Sequence, residues 1–245
     1  VGSSHQGEAF TGDYDLPNRS AYAETCAAIG LLFFSHRLLQ VEADGRYADV
    51  IERALYNGIL SGISFDGTRF FYVNPLSSDG HHHRQDWYDC ACCPPNVARL
   101  LASLGGYVCS TTPRALFVHL YLGGRIKAQI GGQTVELLMA GRYPWEERIA
   151  LTVRPERPSR FDLRLRVPGW CRHHRVRVND KPVAAPVTRG YARLTRTWAP
   201  GDCVELDLAM PVERIAAHPY AEANRGCVAL QRGPVVYCLE EADNG

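Results

Sequence analysis

The sequence has no stretch approaching the roughly 18 unbroken apolar residues of a membrane span. The longest candidate, Ala27 to Leu39, is interrupted by Ser35, His36 and Arg37. No membrane partner is therefore expected. It also lacks an excess of charge of either sign. Its 27 Lys and Arg against 26 Asp and Glu leave a formal net charge of +1, which implies no broad basic surface for nucleic acid. There is no internal repeat of fixed period and no low-complexity tract; the opening residues include no initiator Met and are not expected to be a signal peptide. The opening Val1-Gly2-Ser3-Ser4-His5 leads to the expectation of a fragment. Nine cysteines, an odd number with three of them clustered at one locus, argue against a full disulfide framework and for a reducing, cytoplasmic compartment. Cys171, Cys203, Cys227 and Cys238 are expected to be buried small apolar residues.

What is present is an ordinary globular mixture, 46% apolar and 22% charged. The first part reads as helical. Asn18 or Ser20 can cap a helix through Ala21-Tyr22-Ala23-Glu24, with Ala27, Ala28, Leu31 and Leu32 at helical spacing, running to about Val41. A second helix is expected from about Tyr47 to Ile63, and a hairpin around Asp66-Gly67-Thr68. A third helix follows over about Asn96 to Tyr107. From about Ala115 short alternating segments appear, among them Leu116 to Tyr121, Thr134 to Leu137, Phe161 to Val167 and Val204 to Leu208. Gly131-Gly132, Asn179-Asp180 and Pro200-Gly201 punctuate them. That texture indicates a β-sandwich after a helical part, with the change near residues 109 to 115. Three helices cannot close a core of their own, which again suggests a fragment.

The chemistry concentrates in two clusters. Cys90-Ala91-Cys92-Cys93-Pro94-Pro95-Asn96 holds three thiols in four positions at a loop-to-helix junction. Upstream stands Glu24-Thr25-Cys26. In a regular helix Glu24 and Cys26 would lie about 200° apart around the axis, so both reach one ion only if the first turn is irregular. Glu24, Cys26, Cys92 and Cys93 together make a Cys3Glu set, ordinary ligands for zinc. Spacing alone leaves three readings open: a metal site, buried thiols beside a surface Glu24, or a redox thiol pair.

These residues also resemble glycoside hydrolase family 127, the β-L-arabinofuranosidases. The resemblance rests on Gly7-Glu8, Leu16-Pro17-Asn18, Ala21 to Gly30, Arg53 to Asn57, Phe71 to Leu76 and Cys92 to Asn96. In the second half it rests on Arg166-Val167-Pro168-Gly169-Trp170 and Ala229 to Tyr237. It implies an α+β multidomain chain: the C-terminal part of an (α/α)6 barrel over residues 1–112, then an antiparallel β-sandwich over 113–245. It implies Zn2+ held by Glu24, Cys26, Cys92 and Cys93, with Cys92 also the nucleophile and Glu8 the general acid/base of a retaining glycosidase. Its substrate would be an L-arabinose-containing oligosaccharide or glycoconjugate. A homodimer is compatible with it, and the chain by itself is expected to be inactive.

Tyr72 and Asn74 are candidates to bind the sugar, with Trp87 a third, since aromatic faces and amides suit sugar rings and hydroxyls. His81-His82-His83 has the look of a metal tract but reads first as a solvated loop insertion. Cys90 receives no role. The competing reading is a non-catalytic piece in which zinc only clamps helix to loop, because a closed four-ligand site is normally structural. The sandwich would then serve for sugar binding or packing.

Overall fold

A computed structural model describes residues 8–244; Gly7 of the Gly7-Glu8 motif lies outside them. Helices come first: α1 (Thr25–Val41), α2 (Gly45–Ala54) and α3 (Cys93–Ser103). Fourteen strands follow among the described residues. They are β1 (Cys109–Thr112), β2 (Ala115–Val118), β3 (Gly124–Ile130), β4 (Gln133–Ala140), β5 (Arg148–Pro155), β6 (Ser159–Arg166) and β7 (His174–Val178), then β8 (Lys181–Pro182), β9 (Val187–Thr188), β10 (Tyr191–Trp198), β11 (Asp202–Leu208), β12 (Val212–Ala216), β13 (Val228–Arg232) and β14 (Val235–Tyr237). The chain is thus helical first and sheet-built afterwards, with one short helix, α4 (Glu241–Asn244), after the last strand.

Two compact units result. One comprises residues 36–49 and Ser103–Pro211. It contains a five-stranded sheet ordered β1-β2-β6-β10-β9 and a six-stranded sheet ordered β3-β4-β5-β11-β7-β8. Alternation drives their burial: Val135, Leu137 and Met139 of β4, Ile149, Leu151 and Val153 of β5, and Val204, Leu206 and Leu208 of β11 all point inward. They share one core with Phe161, Leu163, Leu165 and the fully buried Trp198 of the other sheet. This is the expected sandwich, with one departure. β2 and β6 pair in parallel, so the five-stranded sheet is mixed. The turns are legible: Gly131 and Gly132 (φ 59° and 76°) and Asn179 and Asp180 (φ 49° and 64°) supply the paired positive φ of tight hairpins.

A buried polar network lies on the outer side of β6. Arg166 is 0% exposed and donates to Asp49 Oδ1 at 2.6 Å and to the His119 carbonyl at 2.5 Å. His119 bonds the Tyr191 hydroxyl at 2.7 Å and Ser110 at 2.8 Å. Burial first, then the Arg166 charge, lowers the imidazole pKa to about 3.

The other unit comprises residues 8–35, Val50–Ala102 and 212–244, so the small sheet β12-β13-β14 belongs with the helices. Several sequence expectations are corrected here. Ala21 to Glu24 are not helical, and α1 begins at Thr25. The second helix changes form, to a π-turn over Leu55–Ile59 and a 3-10 turn over Leu60–Gly62. The Asn57 amide within that π-turn donates to the Pro234 carbonyl at 2.9 Å and accepts from the Val236 N–H at 2.8 Å, in place of a neighbouring strand. The hairpin around Asp66-Gly67 reduces to isolated bridges, Ile63 to Phe70 and Phe70 to Gln85. The third helix starts at Cys93 rather than Asn96, with both prolines in its first turn, where a missing N–H costs nothing. Cys203, Cys227 and Cys238 are exposed rather than buried, whereas Cys171 is half-buried and packs against the sandwich core. Cys203 takes an outward position of β11, whose inward ones are Val204, Leu206 and Leu208.

Candidate metal and nucleophile site

Two helix starts converge on one cluster. The Glu24 carbonyl accepts the Ala28 N–H at 3.1 Å, which makes Glu24 the residue that opens α1. The Cys92 carbonyl accepts the Asn96 N–H, also at 3.1 Å, and opens α3 the same way. Cys26 and Cys93 stand in the first turns of the two helices. Because Glu24 is extended, bridged to Val73, the helical offset between it and Cys26 does not apply. The donor atoms of Glu24, Cys26, Cys92 and Cys93 all lie within 4.8 Å of one another. Cys26 Sγ is 2.8 Å from Cys92 Sγ and 3.4 Å from Cys93 Sγ, and Glu24 Oε1 is 3.5 Å from Cys92 Sγ and 3.9 Å from Cys93 Sγ.

The segment around Glu24 is held by its neighbours' backbone and amide groups. Thr25 N–H donates to the Tyr72 carbonyl at 2.9 Å and Thr25 Oγ1 to the Phe71 carbonyl at 2.9 Å. Asn74 uses both its backbone N–H and its Nδ2 on the Ala23 carbonyl, each at 3.1 Å, and Nδ2 also reaches Thr25 Oγ1 at 3.0 Å. Ala23 takes a positive φ of 25°, a conformation that persists only when surroundings over-determine it. Tyr88 fixes the Tyr72 strand from behind: its hydroxyl accepts the Tyr72 N–H at 2.9 Å and donates to the Phe70 carbonyl at 2.6 Å.

The charges are all of one sign. The Cys92 thiol is pushed up to about 11, first by the Cys26 sulfur and then by burial, with Glu24 adding to it and the Tyr72 hydroxyl opposing it. Cys93, fully buried, is raised by burial and then by Cys26. Glu24 is only 8% exposed. A buried carboxylate among three thiols, at two helix ends that favour negative charge, is a donor set that a cation would complete. Sulfurs about 2.3 Å from a tetrahedral ion stand about 3.8 Å apart, so a small outward shift of Cys26 and Cys92 would accommodate one. The residues therefore fit a metal ion.

Sequence comparison bears directly on this geometry. The description "Beta-L-arabinofuranosidase, GH127 catalytic domain" matches residues 1–106, the corresponding middle domain matches 115–210, and the family's C-terminal domain matches 212–245. The chain belongs to glycoside hydrolase family 127. Within the family it is 38% identical over 263 residues to a non-reducing end beta-L-arabinofuranosidase of Bifidobacterium longum. That match takes in 100% of this chain and 39% of the relative. A solved GH127 beta-L-arabinofuranosidase from Geobacillus stearothermophilus T6 superimposes with a TM-score of 0.95 at 53% identity, over 100% of this chain and 41% of that one. Another GH127 beta-arabinofuranosidase gives a TM-score of 0.96 at 41% identity, over 99% and 41%. The chain thus spans about two fifths of its relatives' length.

The remaining expected site residues fall at different distances from the cluster. The Tyr72 carbonyl is 3.9 Å from Cys93 Sγ, and its ring meets Tyr22 edge-on at 6.1 Å. Burial, then a hydrogen bond with Tyr22, raises the Tyr72 hydroxyl. Asn74 spends its amide N–H groups on Ala23 and Thr25, a positioning task. Glu8 is exposed, and its charge is felt by the Tyr22 hydroxyl. His82 stacks on Phe71 at 4.7 Å and bonds the Val73 carbonyl at 2.9 Å, while His81 lies exposed in the loop. Trp87 is 57% exposed. Cys90 has Cys-x-x-Cys spacing with Cys93, yet it is exposed, whereas Cys93 is fully buried with Cys26 Sγ 3.4 Å away. Sequence reasoning missed Tyr22 and Tyr88. Neither sits in a periodic pattern, and the only signal was the density of aromatics flanking Glu24 and Phe71.

Proposed function

We propose that the chain carries the nucleophile and zinc ligands of a retaining glycoside hydrolase. Its substrate would be the terminal β-L-arabinofuranosyl group of an arabinose-containing oligosaccharide or glycoconjugate. The observation that carries this reading is the inequality of the clustered thiols. Cys93 is fully buried, whereas Cys92 is half-exposed, opens a helix and faces the Tyr72 hydroxyl. One thiol is thus suited to holding and the other to attacking. The names of the relatives supply the sugar class.

Zinc held by Glu24, Cys26, Cys92 and Cys93 would supply the positive charge that keeps these thiols ionised near neutral pH, where a free Cys with pKa about 8.5 is mostly protonated. Cys92 Sγ then attacks the anomeric carbon as the glycosidic C–O bond breaks, and Glu8 gives its proton to the departing oxygen. In the second half Glu8 takes a proton from water, the water oxygen bonds to the anomeric carbon, and the Cys92 thiolate departs. The Tyr72 hydroxyl, whose hydrogen bond favours ionised Cys92, steadies the sulfur when it leaves the other donors. Nine free cysteines support a reducing, cytoplasmic setting.

The test uses an enzyme of family length in which this chain replaces the aligned segment of the Bifidobacterium longum relative. Cys92→Ser should lower kcat by at least about 10³-fold, as loss of a nucleophile does, with a covalent sugar adduct on Cys92 disappearing from the mass spectrum. Full turnover with metal still bound would refute the nucleophile assignment and favour a purely structural ion.

A further inference from the structure

The segment that carries Glu8 has no regular secondary structure, yet it is not loose. Its turn is closed by Asp15 N–H on the Gly12 carbonyl at 3.2 Å and by Thr11 Oγ1 on Asp15 at 2.5 Å. Tyr14 in that turn has φ 62°, which is strained for a bulky residue. What holds it comes from the connection between β12 and β13. The Tyr14 ring stacks on His218 at 4.5 Å and meets Tyr220 edge-on at 5.4 Å, and His218 and Tyr220 contact each other at 4.9 Å. Two amides then cross in opposite directions: Asn18 Nδ2 donates to the Ala223 carbonyl at 3.0 Å, and Asn224 Nδ2 donates to the Leu16 carbonyl at 3.2 Å. On the other side the Asn18 carbonyl accepts from Leu76 N–H at 2.8 Å and Ser77 N–H at 3.2 Å, in the segment that follows Tyr72. Asn18 therefore joins the Glu8 segment to the Tyr72 segment and to the connection of the small sheet at once.

We propose that the β12–β13 connection is a buckle that positions Glu8, with Asn18 and Asn224 as positioning residues for its proton transfers. This gives the small C-terminal sheet a task in the reaction although it contributes no group to the cluster. The proposal rests on the reading of Glu8 as acid/base, and its test separates the two. A displaced acid harms a poor leaving group far more than a good one, whereas general loosening of the fold harms both alike. In the family-length enzyme, Asn18→Asp with Asn224→Asp, which removes both donors at constant size, should lower kcat/KM about 10²-fold on an arabinosyl disaccharide. It should change kcat/KM, which reports the step up to the thioglycosyl intermediate, by less than about threefold on a 4-nitrophenyl arabinoside, whose bond cleavage hardly needs the acid. Bound metal should stay constant. In this chain itself the same variant should speed hydrogen exchange across residues 8–18. Unchanged exchange, or equal loss on both substrates, overturns the buckle. Glu8→Gln is the control: if it lacks the leaving-group dependence, the acid/base reading fails and the proposal falls with it.

Discussion

In the sandwich, β4, β5 and β11 each bury every second side chain, and the ladder hydrogen bonds do the rest. Around Glu24 and the thiols, by contrast, order comes from one isolated bridge, a positive φ at Ala23 and the amide of Asn74. The difference lies in what satisfies the chain. Regular strands satisfy themselves and need only apolar partners. A four-donor site needs side chains aimed from two helix starts and a loop, so irregular backbone is the means of aiming. The first region is stabilised by area, and the second by a few bonds and by whatever charge occupies its centre.

The largest test of this contrast is metal loss. Cys93→Ala should weaken metal binding by at least about 10²-fold. Hydrogen exchange should then rise around residues 22–26 and 88–96 while β4, β5 and β11 keep their protection. Loss of sandwich protection would break the contrast. The sandwich has its own weak point, which is acid. His119 is neutral in the fold with pKa near 3, against 6.5 unfolded. The unfolded chain therefore binds the extra proton between those values. Stability is full above pH 6.5 and falls as pH drops toward 3, by up to about 5 kcal/mol. Urea midpoints against pH should show this slope, and His119→Asn should flatten it. Asp49→Asn comes next: it leaves the buried Arg166 guanidinium without its counter-charge and should cost about 2 kcal/mol, read as a shifted denaturation midpoint with metal content intact. Smallest is Asn74→Ala, which removes the side-chain bonds to Ala23 and Thr25. It should cost about 1 kcal/mol and lower metal affinity by less than about tenfold; a larger stability loss without any metal effect would show that Asn74 serves the fold rather than the site.

The regular parts were the legible parts. Strands β4, β6 and β11 lie where alternation put them, and Gly131-Gly132 and Asn179-Asp180 turn as their residue types demand. The ligand set was legible as composition, because Glu24, Cys26, Cys92 and Cys93 are residue types with few reasons to cluster. Its geometry was not. Glu24 reads as helical by its neighbours' spacing, and only the competing bridge to Val73, forty-nine positions on by number, draws it out into an extended form. The same long-range competition turned the end of the second helix into a π-turn around Asn57, whose amide replaces a strand for β14. It also left the Asp66-Gly67 hairpin as isolated bridges. The parallel β2–β6 pair carries no local signature, since β2 is buried at all four of its residues and reads the same in either direction. The grouping of the small sheet with the helices likewise depends on contacts such as Asn18 to Ala223, which no window of sequence contains.

That grouping has a consequence for synthesis. The site-bearing unit takes its last sheet from residues 212 onward, after the whole sandwich has been made. Domains fold as units while the ribosome moves at about 5–20 residues per second. The sandwich strands from Cys109 to Leu208 can close at once. The unit that holds Cys26, Cys92 and Cys93 is therefore complete only once β12–β14 have been made, several seconds after its helices.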